Sequence, residues 1–142
     1  MIASMFPVFE LEATKFFQDS GDGMFEVQYK RSQELINLQE QVIEKINPLR
    51  KGRFLANYPS GATSEMMEKQ LTGNALLQFK TYAYLEIGED YRPHMTFIRL
   101  AEDVEEVINL DDLPNVSAFS GVYSILALYV MGKNGTCCEE VS

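Results

Sequence analysis

Residues 75–87 read ALLQFKTYAYLEI, and their periodicity decides the architecture expected of the whole chain. Ala75, Leu77, Phe79, Ala83, Leu85 and Ile87 take the odd positions, against Gln78, Lys80 and Glu86 on the even ones. Alternation of this kind puts apolar side chains on one face of an extended backbone, so the stretch predicts a long half-buried strand. Residues 88–93 then turn the chain, and residues 95–100 predict a second strand. Residues 116–131 are apolar on both alternations and rich in branched and aromatic side chains, which predicts a central strand covered on both faces. The stretch from Val104 to Leu110 is read as a hairpin partner of the preceding strand, although Val104, Val107 and Ile108 also recur at helical spacing. Asn134-Gly135 favours a tight turn with a short paired tail beyond it.

Upstream of this stretch the period is helical. Pro7 suits the first turn of a helix and Gly21 its left-handed end, with Phe9, Ala13, Phe16 and Phe17 at helical spacing, so residues 7–20 predict a first helix. A second is predicted from a cap at Ser32, with Leu35, Leu38, Val42, Ile43 and Ile46 forming a stripe opposite Glu34, Glu40, Glu44 and Lys45. Asn47-Pro48 stops it, because the residue before proline is pushed out of the helical region. Between the two, residues 24–29 alternate and fit a short strand as well as an early start to the second helix. Gly52, Pro59 and Gly61 mark a loop, after which Thr63 caps a short helix running through Leu71 and ending at Gly73. Helices first and strands after predict an α+β fold, with N-terminal helices packed on an antiparallel sheet formed by the C-terminal half. At 142 residues the chain fits a single domain spanning 1–142.

Composition narrows the function. Twelve basic against 21 acidic residues give a net charge of -9, which argues against nucleic-acid backbone binding, where neutralising phosphates requires surplus Lys and Arg. Residues 1–9 hold no Lys or Arg, so the charged start of a signal peptide is missing. The longest uncharged apolar run, 122–131, is ten residues, whereas crossing a bilayer takes about 20, so no membrane span is expected. Asn115-Val116-Ser117 and Asn134-Gly135-Thr136 match the glycosylation triplet formally, without an export signal. Cys137 and Cys138 are adjacent and staple nothing distant, which reads as reduced thiols in a cytoplasmic (or, for a viral protein, virion) setting.

Chemistry-bearing motifs are sparse. One histidine cannot support the usual triads beyond a single site, and no Gly-x-Ser-x-Gly elbow or phosphate-binding glycine loop is present. Cys137, Cys138 and His94 lack zinc-ligand spacing. The sequence implies no cofactor. Pro93-His94-Met95-Thr96-Phe97 is similar to the His-x-Thr element of the two-histidine phosphoesterases. In that family two such elements face each other in one cleft, one histidine as base and the other as acid. The similarity covers five residues, and with one histidine the chain carries half of that machinery, so His94 is read as a histidine at a strand start.

Charge is the more informative feature. Glu102, Asp103, Glu105, Glu106, Asp111 and Asp112 crowd eleven residues without a positive neighbour, and lack the oxygen spacing and central glycine of a calcium loop. Residues 86–112 hold seven of the nine net negative charges. Arg50, Lys51 and Arg53, with Lys45 nearby, form a basic segment followed by Phe54 and Tyr58. These two patches are the candidate partner-binding residues. They suit a non-enzymatic protein-binding or assembly protein, such as a viral structural component or a small acidic adaptor, with homo-oligomers formed head to tail through complementary patches. Two other classes are weighed against it: an acidic inhibitor or immunity protein covering the basic surface of a nucleic-acid enzyme, and a small-ligand-binding or enzymatic α+β domain.

Overall fold

The structure, a computed structural model, describes residues 8–18, 23–56, 58, 62–99, 108–124, 129–131 and 137–140. The fold is α+β. Its described residues fall into two compact units, one formed by Gln33–Tyr91 and the other by the chain on either side, up to Ser32 and from Arg92.

The second of these is built on strands. β1 (Phe9–Leu11) and β2 (Ala13–Gln18) are followed by β3 (Met24–Tyr29), with β4 (His94–Arg99) arriving much later in sequence. β2, β3 and β4 form an antiparallel sheet with β3 in the middle. Ala13 pairs with Tyr29 and Lys15 with Gln28, so Thr14 is the extra residue of a bulge. Its hydroxyl donates to the Gln28 carbonyl at 2.9 Å. A second bulge makes Phe97 the extra residue of β4, between Thr96 opposite Glu26 and Ile98 opposite Phe25. β1 pairs with β5 (Gly121–Tyr123), and β6 (Tyr129–Met131) with β7 (Cys137–Glu140), both antiparallel. The core on one face of the sheet is Ala13, Val27 and Tyr29, packed against Leu11, Phe16, Met95, Val116 and Phe119. Phe16 stacks on Phe25 at 5.6 Å and meets Phe119 edge-on at 5.6 Å.

The N-terminal helix expected over 7–20 is therefore replaced by strands in its described part. The neighbours Phe16 and Phe17 are the reason. In a strand adjacent side chains take opposite faces, so Phe16 joins the core beside Val27 while Phe17 lies across from Glu26 on the other face. The predicted order of layers is corrected with it: three strands precede the helices, and the sheet draws on both ends of the chain. The expected central strand over 116–131 is corrected too. The Asn115 side chain accepts from Ser117 N at 3.0 Å and from its hydroxyl at 2.8 Å, which starts a 3-10 turn over Val116–Phe119. Within 116–131 only the short β5 and β6 follow among the described residues. Of the hairpin partner expected over 104–110, residues 104–107 lie outside the described residues, and Leu110 opens a 3-10 turn, Leu110–Asp112.

The first unit is helical. α1 (Gln33–Ile46) follows the predicted stripe, with Leu35 buried and Leu38, Val42, Ile43 and Ile46 half-buried, and it ends at Asn47-Pro48. The Gln39 amide accepts from Gly88 N at 3.2 Å and donates to the Glu86 carbonyl at 2.9 Å, tying the turn at Gly88–Asp90 to α1. α2 (Ser64–Gln70) starts at Thr63, whose hydroxyl accepts from Met66 N at 3.3 Å. α3 (Gly73–Tyr82) overturns the strand expected over 75–87. Phe79 is fully buried between the rings of Phe54 and Tyr58, each 5.3 Å away, whereas Leu77, on the same side of the imagined strand, is 64 % exposed. Ala75, Leu76, Phe79 and Ala83 share the inward side at helical spacing, and Ala83 closes the helix in the left-handed region at φ 58°.

Candidate functional site

Alternation along β3 sends Phe25, Val27 and Tyr29 to one face and Glu26 and Gln28 to the other. The second face is polar yet not solvated: Glu26 is 0 % exposed. A buried carboxylate is costly unless it is paired, and partners converge on it from β3 and from the approach to β4. Oε1 accepts from the Arg92 guanidinium and from the Gln28 amide, the latter at 3.0 Å. The guanidinium also lies 5.4 Å above the Phe17 ring, a cation–π contact supplied by β2. Oε2 is buried and makes no hydrogen bond among the described residues. The atom nearest to pairing with it is His94 Nε2, 3.8 Å away. His94 Nδ1 is 2.8 Å from the carbonyl oxygen of Arg92. Both ring nitrogens are thus turned toward the protein, and His94 occupies the first position of β4.

On the opposite face Tyr29 donates to the Phe119 carbonyl at 3.3 Å, and burial holds its hydroxyl proton well above the ordinary tyrosine range, reinforced by the neighbouring Tyr123. Burial raises Tyr58 and Tyr91 in the same direction. These are packing residues: Tyr58 and Tyr91 belong to the helical unit.

The charged candidates are placed as follows. Asp111 and Asp112 lie exposed in the turn Leu110–Asp112, where the Asn109 side chain accepts from Asp111 N at 3.2 Å and donates to Asp112 at 3.0 Å. Glu102, Asp103, Glu105 and Glu106 lie outside the described residues. Arg50, Lys51 and Arg53 are brought together in the loop that follows α1. Arg50 donates from Nη2 to the Thr81 carbonyl at 2.7 Å, from Nη1 to the Arg53 carbonyl at 2.7 Å, and from Nε to Asn47 at 3.2 Å, and it lies 5.2 Å above the Phe54 ring. A cation on the last carbonyls of a helix is favoured by the helix dipole, so Arg50 closes the C-terminal end of α3. Lys51, at φ 52°, and Arg53 stay exposed.

Sequence reasoning missed Glu26, Gln28 and Arg92. The alternation of 24–29 does place Glu26 and Gln28 side by side, but nothing in it marks that face as buried. Among the described residues no three His, Cys, Asp or Glu side chains gather to hold a metal ion, and no helix is long and apolar enough to cross a membrane. No family model, curated protein or solved structure matches the chain.

Proposed function

We propose that the chain is a non-enzymatic protein-binding or assembly component, and that its basic loop at 50–53 takes the acidic stretch at 102–112 of a second copy. The observation that carries this reading is the way Arg50 is used. Its three nitrogens are tied to Asn47, Arg53 and Thr81, which holds the loop in shape while Lys51 and Arg53 face solvent. Leu49 and Leu55, 66 % and 44 % exposed, flank them, so the loop offers cations with an apolar margin. In a chain of net charge -9 this surface is complementary to the stretch that carries most of the excess. Crowded like charges repel one another, and a positive surface on a neighbouring copy relieves that repulsion. The inward orientation of both His94 nitrogens supports a role without histidine catalysis. The competing occupant for the acidic stretch is the basic surface of another enzyme, which would make the chain an inhibitor.

Light-scattering mass measured at low and high salt tests the reading. Raising salt from about 0.05 to 0.5 M shortens electrostatic reach several-fold, so the oligomer is expected to dissociate toward the monomer mass. Lys51→Glu combined with Arg53→Glu is expected to give the monomer mass at both salts. A wild-type chain that is monomeric throughout, or an oligomer indifferent to both salt and charge reversal, overturns the proposal.

A further inference from the structure

We propose that Glu26 and His94 together form a site for one proton, and that filling it fastens β4 to β3. The other ring nitrogen sets the tautomer of the neutral ring. The Arg92 carbonyl can only accept, so His94 Nδ1, 2.8 Å from it, is the nitrogen that carries hydrogen in the neutral ring. Nε2 is then left with a lone pair. That lone pair lies 3.8 Å from Glu26 Oε2, a buried carboxylate oxygen that accepts from nothing among the described residues. Two acceptors therefore face each other with no hydrogen between them. Protonation of Nε2 makes the ring a donor at both nitrogens, and a movement of under about 1 Å brings Nε2–H and Oε2 to hydrogen-bond distance.

The charges around the pair come from three elements. From the approach to β4, the Arg92 guanidinium sits on Oε1 and opposes a second positive charge. From β2, Lys15 stands opposite Gln28 in the register, exposed. From β3, Glu26 supplies the negative charge, of which Arg92 engages one oxygen and leaves the other to His94. Because His94 begins β4 and Glu26 sits mid-β3, the new bond joins the two strands through side chains in addition to their backbone ladder. Gain of the proton thus tightens the strand and its loss loosens it, and histidine side chains in general exchange that proton between about pH 5 and 8.

His94 is the chain's one histidine, so its ring resonances identify themselves in a 15N-labelled sample. At pH 8 the ring is expected as the Nδ1–H form, with Nε2 at the frequency of an unprotonated nitrogen. Once acid has protonated both nitrogens, the Nε2 hydrogen is expected to exchange slowly because it is held by Glu26. In a folded Glu26→Ala chain the Nε2 hydrogen of the protonated ring is expected to exchange fast, because no carboxylate is left to hold it. An Nε2–H form of the neutral ring, or a fast-exchanging Nε2 hydrogen in the protonated ring, overturns the proposal from the wild-type chain alone. An Nε2 hydrogen that still exchanges slowly in the protonated ring of a folded Glu26→Ala chain overturns it as well.

Discussion

β3 at Met24–Tyr29 and the stretch 75–87 look alike in sequence, for both alternate apolar with polar residues, yet one is a strand and the other is mostly α3. The difference lies in what the alternation leaves out. In β3 the apolar set, Phe25, Val27 and Tyr29, is branched and aromatic, and Gly23 precedes it at a positive φ of 68°. α3 includes Ala75, Leu76, Leu77, Gln78 and Lys80, good helix formers, and Leu76 breaks the alternation on the side assigned to polar residues. Two periodicities compete for the same apolar residues, and the helix wins because Ala75, Leu76, Phe79 and Ala83 bury together on one side. Counting matches to one period without counting to the other is what misleads.

The largest effect is expected at Phe79, where the helical packing is centred. Phe79→Ala is expected to destabilise the fold by about 3–5 kcal/mol, the range for deleting a buried aromatic ring, since both Phe54 and Tyr58 lose their shared packing partner. Urea unfolding followed by circular dichroism reads the change. A cost below 1 kcal/mol by the same measure is incompatible with a fully buried Phe79.

Local signals carried most of what was legible. The stripe of α1 and its stop at Asn47-Pro48, the Thr63 cap of α2, and the strand at 94–99 all follow from residues within one element, and so does the paired tail at Cys137–Glu140. Residues 8–18 were not legible, because β2 exists through pairing with β3 and through Phe16 meeting Phe119, about a hundred positions away in sequence. Glu26 was hidden for the same reason. Its partner Arg92 is 66 positions distant, and alternation distinguishes the two faces of a strand without saying whether both are covered. The charged patches were legible as charge, while the role of Arg50 was not, since its partner Thr81 lies across a loop in another helix.

That contrast between the two faces of β3 sharpens into a second prediction. Arg92→Leu strands a carboxylate with 0 % exposure, and the cost is expected near 3 kcal/mol, the lower end for breaking a buried pair, because the Arg92 side chain keeps 34 % exposure. Removing both charges, as Glu26→Met with Arg92→Leu, is expected to restore most of the loss, since no buried charge then lacks a partner. A double-mutant cycle in urea checks it. If the double variant is as unstable as the single one, packing of Arg92 over Phe17 matters more than its charge.

The smallest expected effect is the most discriminating one. Leu77 and Phe79 are two residues apart, so a strand would place them on the same face, whereas a helix turns them about 200° apart. On a shared buried face, Leu77→Ala would remove packing and cost about 2–5 kcal/mol. In α3 the side chain is 64 % exposed, so little packing is lost, and alanine is the better helix former. The two contributions oppose each other, and the net change is expected to stay within about 0.5 kcal/mol in urea unfolding. Measured beside Phe79→Ala in the same series, with unchanged denaturant dependence, the pair separates helix from strand by the ratio of their costs. Comparable losses at both positions would return 75–87 to the strand that its alternation suggests.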